Sequence, residues 1–470
     1  MTADRLSQRS GPGRAPWALL LLLVLAAGLG AQQGTAPVTP EPPAPDATPP
    51  AAAPPDQVTL VMQPGDRPLL RLALPALDTG AQPLAGAAAA AARELESALR
   101  ADLDASGIFT IQGPADLAVL QLTGETAHDF EQYRSLGNEV VLLGELKLEG
   151  DRLVLEGRIF DLPSGQAILG KRYRGSYDLA RRIAHTFADE ILLHFTGRRG
   201  VALTSIAFYS DRDGEKEIYL MDYDGRNQRR ITAHRSISMS PAWSPSGDAV
   251  AYVSFFAGSG PAIYLADIAS GLKRPVVTSG SLNTSPTFSP DGRRIAFARS
   301  LGSNIEIFAC DRDGSSLKQL TYSSGIDTNP AWSPSGREIA FTSSRGTGRP
   351  QIYAMDAEGS NLRRITFSGD YNDGAAWSPD GTRLAYSSRQ PNGQFAIAVS
   401  DLVTLASRVL VAGNGNHEGP TFSPDGRRLA FASTLRGRTQ IQVVGAEGGE
   451  PRALTTDGNN YAPDWSGYPQ

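Results

Sequence analysis

Residues Pro330–Gly336 read PAWSPSG, and they are one copy of a series. The pattern Pro-x-aromatic-Ser-Pro-x-Gly also stands at Pro241–Gly247 (PAWSPSG), Pro286–Gly292 (PTFSPDG) and Pro420–Gly426 (PTFSPDG). Ala375–Gly381 (AAWSPDG) is a copy with Ala in first place, and Pro463–Ser466 (PDWS) is a shortened one. The aromatic residues fall at 243, 288, 332, 377, 422 and 465, at intervals of 43 to 45 residues. A period of about 40–45 residues built from short strands is the signature of a β-propeller blade.

Each unit reads as four strands. The first ends at the Trp or Phe, and Ser-Pro-Asp/Ser-Gly makes the turn, Pro presetting φ and Gly accepting the positive φ that follows. Second strands are runs such as Arg294–Ala298 (RIAFA), and third strands are runs such as Ile263–Asp267 (IYLAD) and Ile352–Asp356 (IYAMD). Fourth strands end in runs such as Lys318–Thr321 (KQLT) and Arg363–Thr366 (RRIT). The repeated aromatic predicts a side chain that fills the wedge between neighbouring blades.

The two ends of the repeat fix the blade count. Ile206–Ser210 (IAFYS), Ile218–Asp222 (IYLMD) and Arg230–Thr232 (RIT) are strands two to four with no first strand before them. Pro463–Ser466 is a first strand with nothing after it. Five full units and this composite predict six blades over 201–470, closed by the C-terminal strand so that no sheet edge is left open.

Ahead of the repeat, 58–200 reads as a small α/β domain. Val58–Met62 and Leu69–Leu74 are short strands, and Leu84–Leu103 is an Ala-rich helix with Leu95, Leu99 and Leu103 on one face, stopped by Gly107. Glu139–Leu148, Arg152–Asp161 and Ala167–Tyr173 alternate apolar and polar residues as a three-stranded meander. Asp178–Phe195 sets Leu179, Ile183, Phe187, Ile191 and Phe195 on one helical face, with Ser176 or Asp178 as cap and Gly197 as stop. Residues 1–31 have the layout of a secretory signal peptide: Arg5, Arg9 and Arg14, then the apolar run Trp17–Ala27, then small residues. That run is shorter than the roughly 20 residues of a spanning helix. Residues 32–57 carry nine prolines and six alanines and read as an extended linker.

Composition narrows the chemistry. Of 470 residues, 49 are Gly and 33 Pro, which suits many short strands and turns. A net charge of −5 gives no reason to expect nucleic acid. Cys310 is the single cysteine, so no internal disulfide and no Cys-based zinc site is available, and its place in a third strand predicts burial. Five histidines leave little material for a metal centre; His185 and His194, nine apart on one helix, do not share a face. The Asp-x-Asp-Gly runs at Asp211–Gly214, Asp222–Gly225 and Asp311–Gly314 read as hairpin turns rather than calcium loops, because no bidentate Glu follows at the required offset. A hydrolase motif Gly-x-Ser-x-Gly is absent, so a non-catalytic scaffold is expected, without cofactor or metal.

The repeat resembles the PD40 version of the WD40-like propeller. With the signal peptide, the α/β domain and six blades, the chain from about Val58 onward is similar to the TolB family of the periplasmic Tol–Pal system. The sharpest likeness lies at the junction: Phe160-Asp161, Gly165, Leu169-Gly170, Tyr173, Gly175, Arg182–His185, Ala188-Asp189, Thr196-Gly197 and Ile206–Ser210. The resemblance implies a periplasmic monomer that docks the peptidoglycan-associated lipoprotein Pal and supports envelope integrity and outer-membrane invagination at division. TolA and other outer-membrane proteins are further candidate partners. A Pro/Ala-rich stretch occupies the place where the family usually carries a short TolA-recruiting segment.

Propeller ligands usually meet the mouth of the central channel. Here the segments entering the innermost strands directly precede each Pro-x-aromatic: 238–240, 282–285, 327–329, 372–374, 416–419 and 459–462. The resemblance implies Leu282, Thr284, Ser285 and Thr328 as partner contacts. Convergence and charge add Asp327, Asp373 and Glu418, and His417 belongs to the same set. The alternative is a secreted propeller of another pathway whose mouth binds a glycan or a peptide.

Overall fold

The computed structural model describes residues 69–469 except 81–83, 125, 259 and 347. The signal peptide, the linker and the strand expected at Val58–Met62 lie outside the described residues.

The N-terminal domain runs β1 (Leu70–Ala73), α1 (Gly86–Ala105), β2 (Phe109–Gln112), the single turn α2 (Pro114–Leu117), α3 (Thr126–Ser135), β3 (Val140–Glu149), β4 (Arg152–Asp161), β5 (Gln166–Gly175) and α4 (Ala180–Thr196). Its sheet has the order β2-β1-β3-β4-β5, with β1 parallel to both β2 and β3 and the meander antiparallel. Leu95, Leu99 and Leu103 of α1 and Ile183, Phe187 and Ile191 of α4 are buried in one cluster with the sheet residues Leu72, Leu142, Leu155 and Ile159. Phe130 and Tyr133 of α3 pack with Ala73, Val141 and Leu162 in a second cluster. Gly157 of β4 faces Phe187: a Cβ there would meet the ring at 2.3 Å. α1 stops before Gly107, at φ 66°, and α4 at Gly197, at φ 70°. The expected caps of α4 are not used. A 3₁₀ turn over Tyr177–Leu179 leads into the helix, Leu179 takes the N-cap place, and neither Ser176 nor any other side chain caps it.

The propeller consists of six four-stranded antiparallel sheets. In chain order, blades one to five have inner strands Ser238–Trp243, Asn283–Phe288, Asp327–Trp332, Asn372–Trp377 and Asn416–Phe422. Blade six joins Asn460–Trp465 to Ser205–Ser210, Glu217–Asp222 and Arg229–Arg230. The inner strands touch one another in sequence all the way round, Asn460–Trp465 against Ser238–Trp243 included, so the ring is closed.

Six buried clusters hold the ring, and each joins two adjacent blades. Trp332, Ile339 and Phe341 of blade three pack with Ala296, Ala298 and Ile307 of blade two. Trp243 of blade one packs with Ala207 and Leu220 of blade six, and Trp465 of blade six with Ala430 and Ile441 of blade five. The three remaining interfaces follow the same plan. The repeated aromatic therefore fills the wedge; Trp377 is the least covered, half-buried with its Nε1 donating to the Ala331 carbonyl at 3.0 Å. Cys310 is buried in the cluster of blades one and two, and burial pushes its thiol pKa up to about 12. Each Asp-x-Asp-Gly run is a turn: Gly214, Gly225 and Gly314 donate to the carbonyls of Asp211, Asp222 and Asp311.

The two domains meet through a buried polar network. His185 Nδ1 of α4 lies 2.6 Å from Asp102 Oδ2 of α1, and Tyr223 Oη of blade six donates to Asp102 Oδ1 at 2.5 Å. Arg181 pairs with Asp224 and, at 3.0 Å, with Glu94. Asp189 accepts from Ala202 N at 3.0 Å and Leu203 N at 3.3 Å, fastening the connecting segment to α4. Gly200 permits this approach, because a Cβ there would meet Asp189 Oδ1 at 2.2 Å. Burial raises the Asp189 pKa to about 6. Tyr223 and Asp224 lie at the ends of the strands where the inner strands finish. The domain thus docks on the propeller face opposite to the one where the inner strands begin. No helix among the described residues is long and apolar enough to cross a membrane.

Candidate partner-docking site at the channel mouth

The free face of the propeller is built from the three residues that precede the Pro or Ala of the motif in each inner strand. These positions differ sharply. The first is Ser238, Asn283, Asp327, Asn372, His417 and Asn460, and all six are buried. The second is Met239, Thr284, Thr328, Asp373, Glu418 and Tyr461, and all six are partly or fully open. The third is Ser240, Ser285, Asn329, Gly374, Gly419 and Ala462, every one left-handed with φ between 45° and 65°.

That third residue is a β-bulge. The pairing of each inner strand with its second strand slips there, as between Thr328 and Ala331 or Asp373 and Ala376. A bulge re-aims the side chains around it and ends the regular ladder. Repeated six times, it gives the mouth a ring of turned backbone followed by the Pro or Ala that starts each motif.

Side chains link this ring across blades two to four. Ser285 Oγ donates to Asn329 Oδ1 at 2.6 Å, Asn329 Nδ2 donates to Asp373 Oδ1 at 2.7 Å, and Thr342 Oγ1 donates to the same oxygen at 2.7 Å. On the other side of the mouth Tyr209 stacks on Tyr461 at 5.0 Å, and Lys216 Nζ lies over both rings. Glu418 opens into the channel, but the surrounding protein withholds bulk solvent from its carboxyl. That desolvation, together with the Asp373 charge, raises its pKa.

The structure brings Thr284, Ser285, Thr328, Asp373 and Glu418 together on this ring. Leu282 precedes it, half-buried against the cluster of blades two and three. Asp327 and His417 do not join it. Asp327 is fully buried, with Ser343 Oγ donating to Oδ1 at 2.6 Å and Arg345 paired to Oδ2. His417 is buried edge-on against Phe431. In an extended strand neighbouring side chains point to opposite sides, so the residue before each ring position must turn inward. Met239, Asn329 and Tyr461 complete the ring and were not singled out by the sequence. Met239 and Tyr461 stand two residues before their Pro and Asn329 one before its Pro, and those offsets were the available signal. Among the described residues no group of three or more His, Cys, Asp or Glu is placed to hold a metal ion.

This fold and site define a class: a six-bladed PD40 propeller with an α/β domain on one face and an open, polar mouth on the other. The family described as TolB beta propeller domain matches residues 193–469, and that described as TolB amino-terminal domain matches 71–168. The chain belongs to the TolB family. It is 41% identical over 165 residues to the Tol-Pal system protein TolB of Syntrophotalea carbinolica, covering 34% of this chain and 38% of that one. It is 39% identical over 159 residues to the Tol-Pal system protein TolB of Geobacter metallireducens, covering 34% and 37%. These matches thus span well under half the length of the curated relatives. The crystal structure of TolB from Acinetobacter baumannii superposes with a TM-score of 0.73 at 26% identity, over 86% of this chain and 98% of that one.

Proposed function

We propose that this chain is a non-catalytic periplasmic scaffold of the Tol–Pal system. It docks Pal, the peptidoglycan-associated lipoprotein, at the channel mouth, and so supports envelope integrity and outer-membrane invagination at division. The observation that carries this reading is the ring itself: six partly or fully open side chains on bulged strands, on the face that the N-terminal domain leaves free. Rings of this kind offer varied side chains on a rigid frame, the arrangement that recognition by loops and strand ends uses. Thr284, Ser285 and Thr328 with Leu282 supply the less charged half of the surface, and Asp373 and Glu418 the acidic half. TolA and other outer-membrane proteins are further partners of the same scaffold.

Calorimetric titration of purified Pal into three proteins tests this. Thr328→Arg places a long cation at a half-open ring position and should weaken binding by about 1–2 kcal/mol or more, the range of interface hot spots. Arg364→Glu, on the outer strand Arg363–Arg364, should leave binding unchanged. Loss of binding from Arg364→Glu with Thr328→Arg unaffected would put the docking surface elsewhere.

A further inference from the structure

Blades three and five carry the same polar device just beneath the mouth. In blade three, Gln351 Oε1 accepts from Thr366 Oγ1 at 2.7 Å and from Asn372 Nδ2 of the next blade at 2.9 Å. In blade five, Gln440 Oε1 accepts from Thr455 Oγ1 at 2.6 Å and from Asn460 Nδ2 of the next blade at 2.9 Å. Blade six carries Glu217 at this position, bonded by Thr232 Oγ1 at 2.5 Å, and the next blade brings the uncharged Ser238.

Blade two breaks the rule. Glu306 takes the place of the Gln, with Thr321 Oγ1 donating to Oε2 at 2.6 Å, and Asp327 takes the place of the Asn. Glu306 is 4% exposed and Asp327 0%. They stand where Gln351 and Asn372 meet between blades three and four, so the two buried carboxyls face each other, and each feels the other's charge. Two ionised carboxylates offer only acceptors, so this contact needs a proton on one of them.

We propose that Glu306 and Asp327 share one proton, and that this proton clamps blade two to blade three and makes their contact sensitive to pH. The Asp327 oxygens accept from Ser343 Oγ and pair with the Arg345 guanidinium. Glu306 holds the proton and donates to Asp327. Its other oxygen accepts from Asn304 Nδ2 at 2.7 Å and Ser323 N at 2.9 Å. Arg299 stands opposite Glu306 in the strand pair; its guanidinium lies over the Phe308 ring and donates to Ser279 Oγ at 3.3 Å. Burial and the Asp327 charge raise the Glu306 pKa above its usual value. The native state therefore binds more protons than the unfolded chain once the pH exceeds about 4.3, and stability falls as pH rises towards the folded value. The same inner strand carries Thr328 and Asn329, so the clamp holds two residues of the mouth in place.

Urea unfolding of the full chain at a series of pH values from about 5 to 8.5, for wild type, Glu306→Gln and the Glu306→Gln/Asp327→Asn pair, tests this. Gln is the residue that blades three and five carry here, so both variants should fold. The wild-type unfolding constant divided by that of Glu306→Gln should grow with pH, by up to about tenfold per pH unit while the shared proton is released. Asp189, Glu418 and Asp464 also have raised pKa values, but they are common to all three proteins and cancel in the ratio. Infrared difference spectra at neutral pH should show a protonated-carboxyl band in wild type that Glu306→Gln lacks. A pH-independent ratio, or a band unchanged by the substitution, would overturn the assignment.

Discussion

Removal of Tyr461–Gln470 should abolish cooperative unfolding. Asn460–Trp465 is the inner strand of blade six and pairs with Ser205–Ser210. Trp465 Nε1 donates to Thr204 Oγ1 at 2.8 Å, and Ser466 and Ser205 exchange bonds at 2.9 and 3.0 Å. Asp464 Oδ2 accepts from Trp243 N of blade one at 2.6 Å, which ties this strand to the first complete blade. Without it, Ser205–Ser210 becomes an exposed edge, the clusters on both sides of blade six open, and edge pairing between molecules follows. Scanning calorimetry with size-exclusion chromatography checks this. Aggregation or a broad, non-cooperative trace is expected, whereas an unchanged melting curve would refute the closure.

Trp332→Ala should cost roughly 3–5 kcal/mol, as large-to-small changes of buried aromatics do. Trp332 is 7% exposed, lies between blades two and three, and carries the Arg294 guanidinium over its ring at 4.7 Å. The neighbouring sheets cannot close the gap without shifting their own strand pairings, so the cavity term adds to the lost burial. Guanidinium unfolding measures it. A variant as stable as wild type that merely lost its partner would mean that Trp332 faces outward.

Much of this architecture can be read from the chain because a propeller repeats its constraints. The Pro-x-aromatic-Ser-Pro-x-Gly turn needs the same residues in every blade, and the incomplete units at Ile206–Ser210 and Pro463–Ser466 reveal how the ring closes. Two elements of the N-terminal domain escape that logic. β2 is four residues, FTIQ, too short to show a period, and it exists because it pairs in parallel with β1 across α1. α3, Thr126–Ser135, is polar along most of its length and buries only a narrow stripe through Phe130 and Tyr133.

The mouth was legible as a set of segments but not residue by residue. Asp327 was expected at the mouth for its charge and its place in a converging segment. A small polar residue recurs at its position in most blades, as Ser238, Asn283, Asn372 and Asn460, and such recurrence marks a structural place in the repeat rather than a variable recognition surface. His417 occupies the same position. The variable residues one step later, from Met239 to Glu418 and Tyr461, are the ones that face the channel. The left-handed bulge that separates these roles depends on backbone geometry: Ser240, Ser285, Asn329 and Ala462 adopt it as well as Gly374 and Gly419.

The most direct test of the docking mouth is site-specific crosslinking in intact envelopes. A photoreactive amino acid placed at Thr328, and separately at Arg364, reports which proteins stand within a side chain's reach of each face. A covalent adduct with Pal is expected from position 328 and none from position 364. An adduct with Pal from position 364 alone would contradict it.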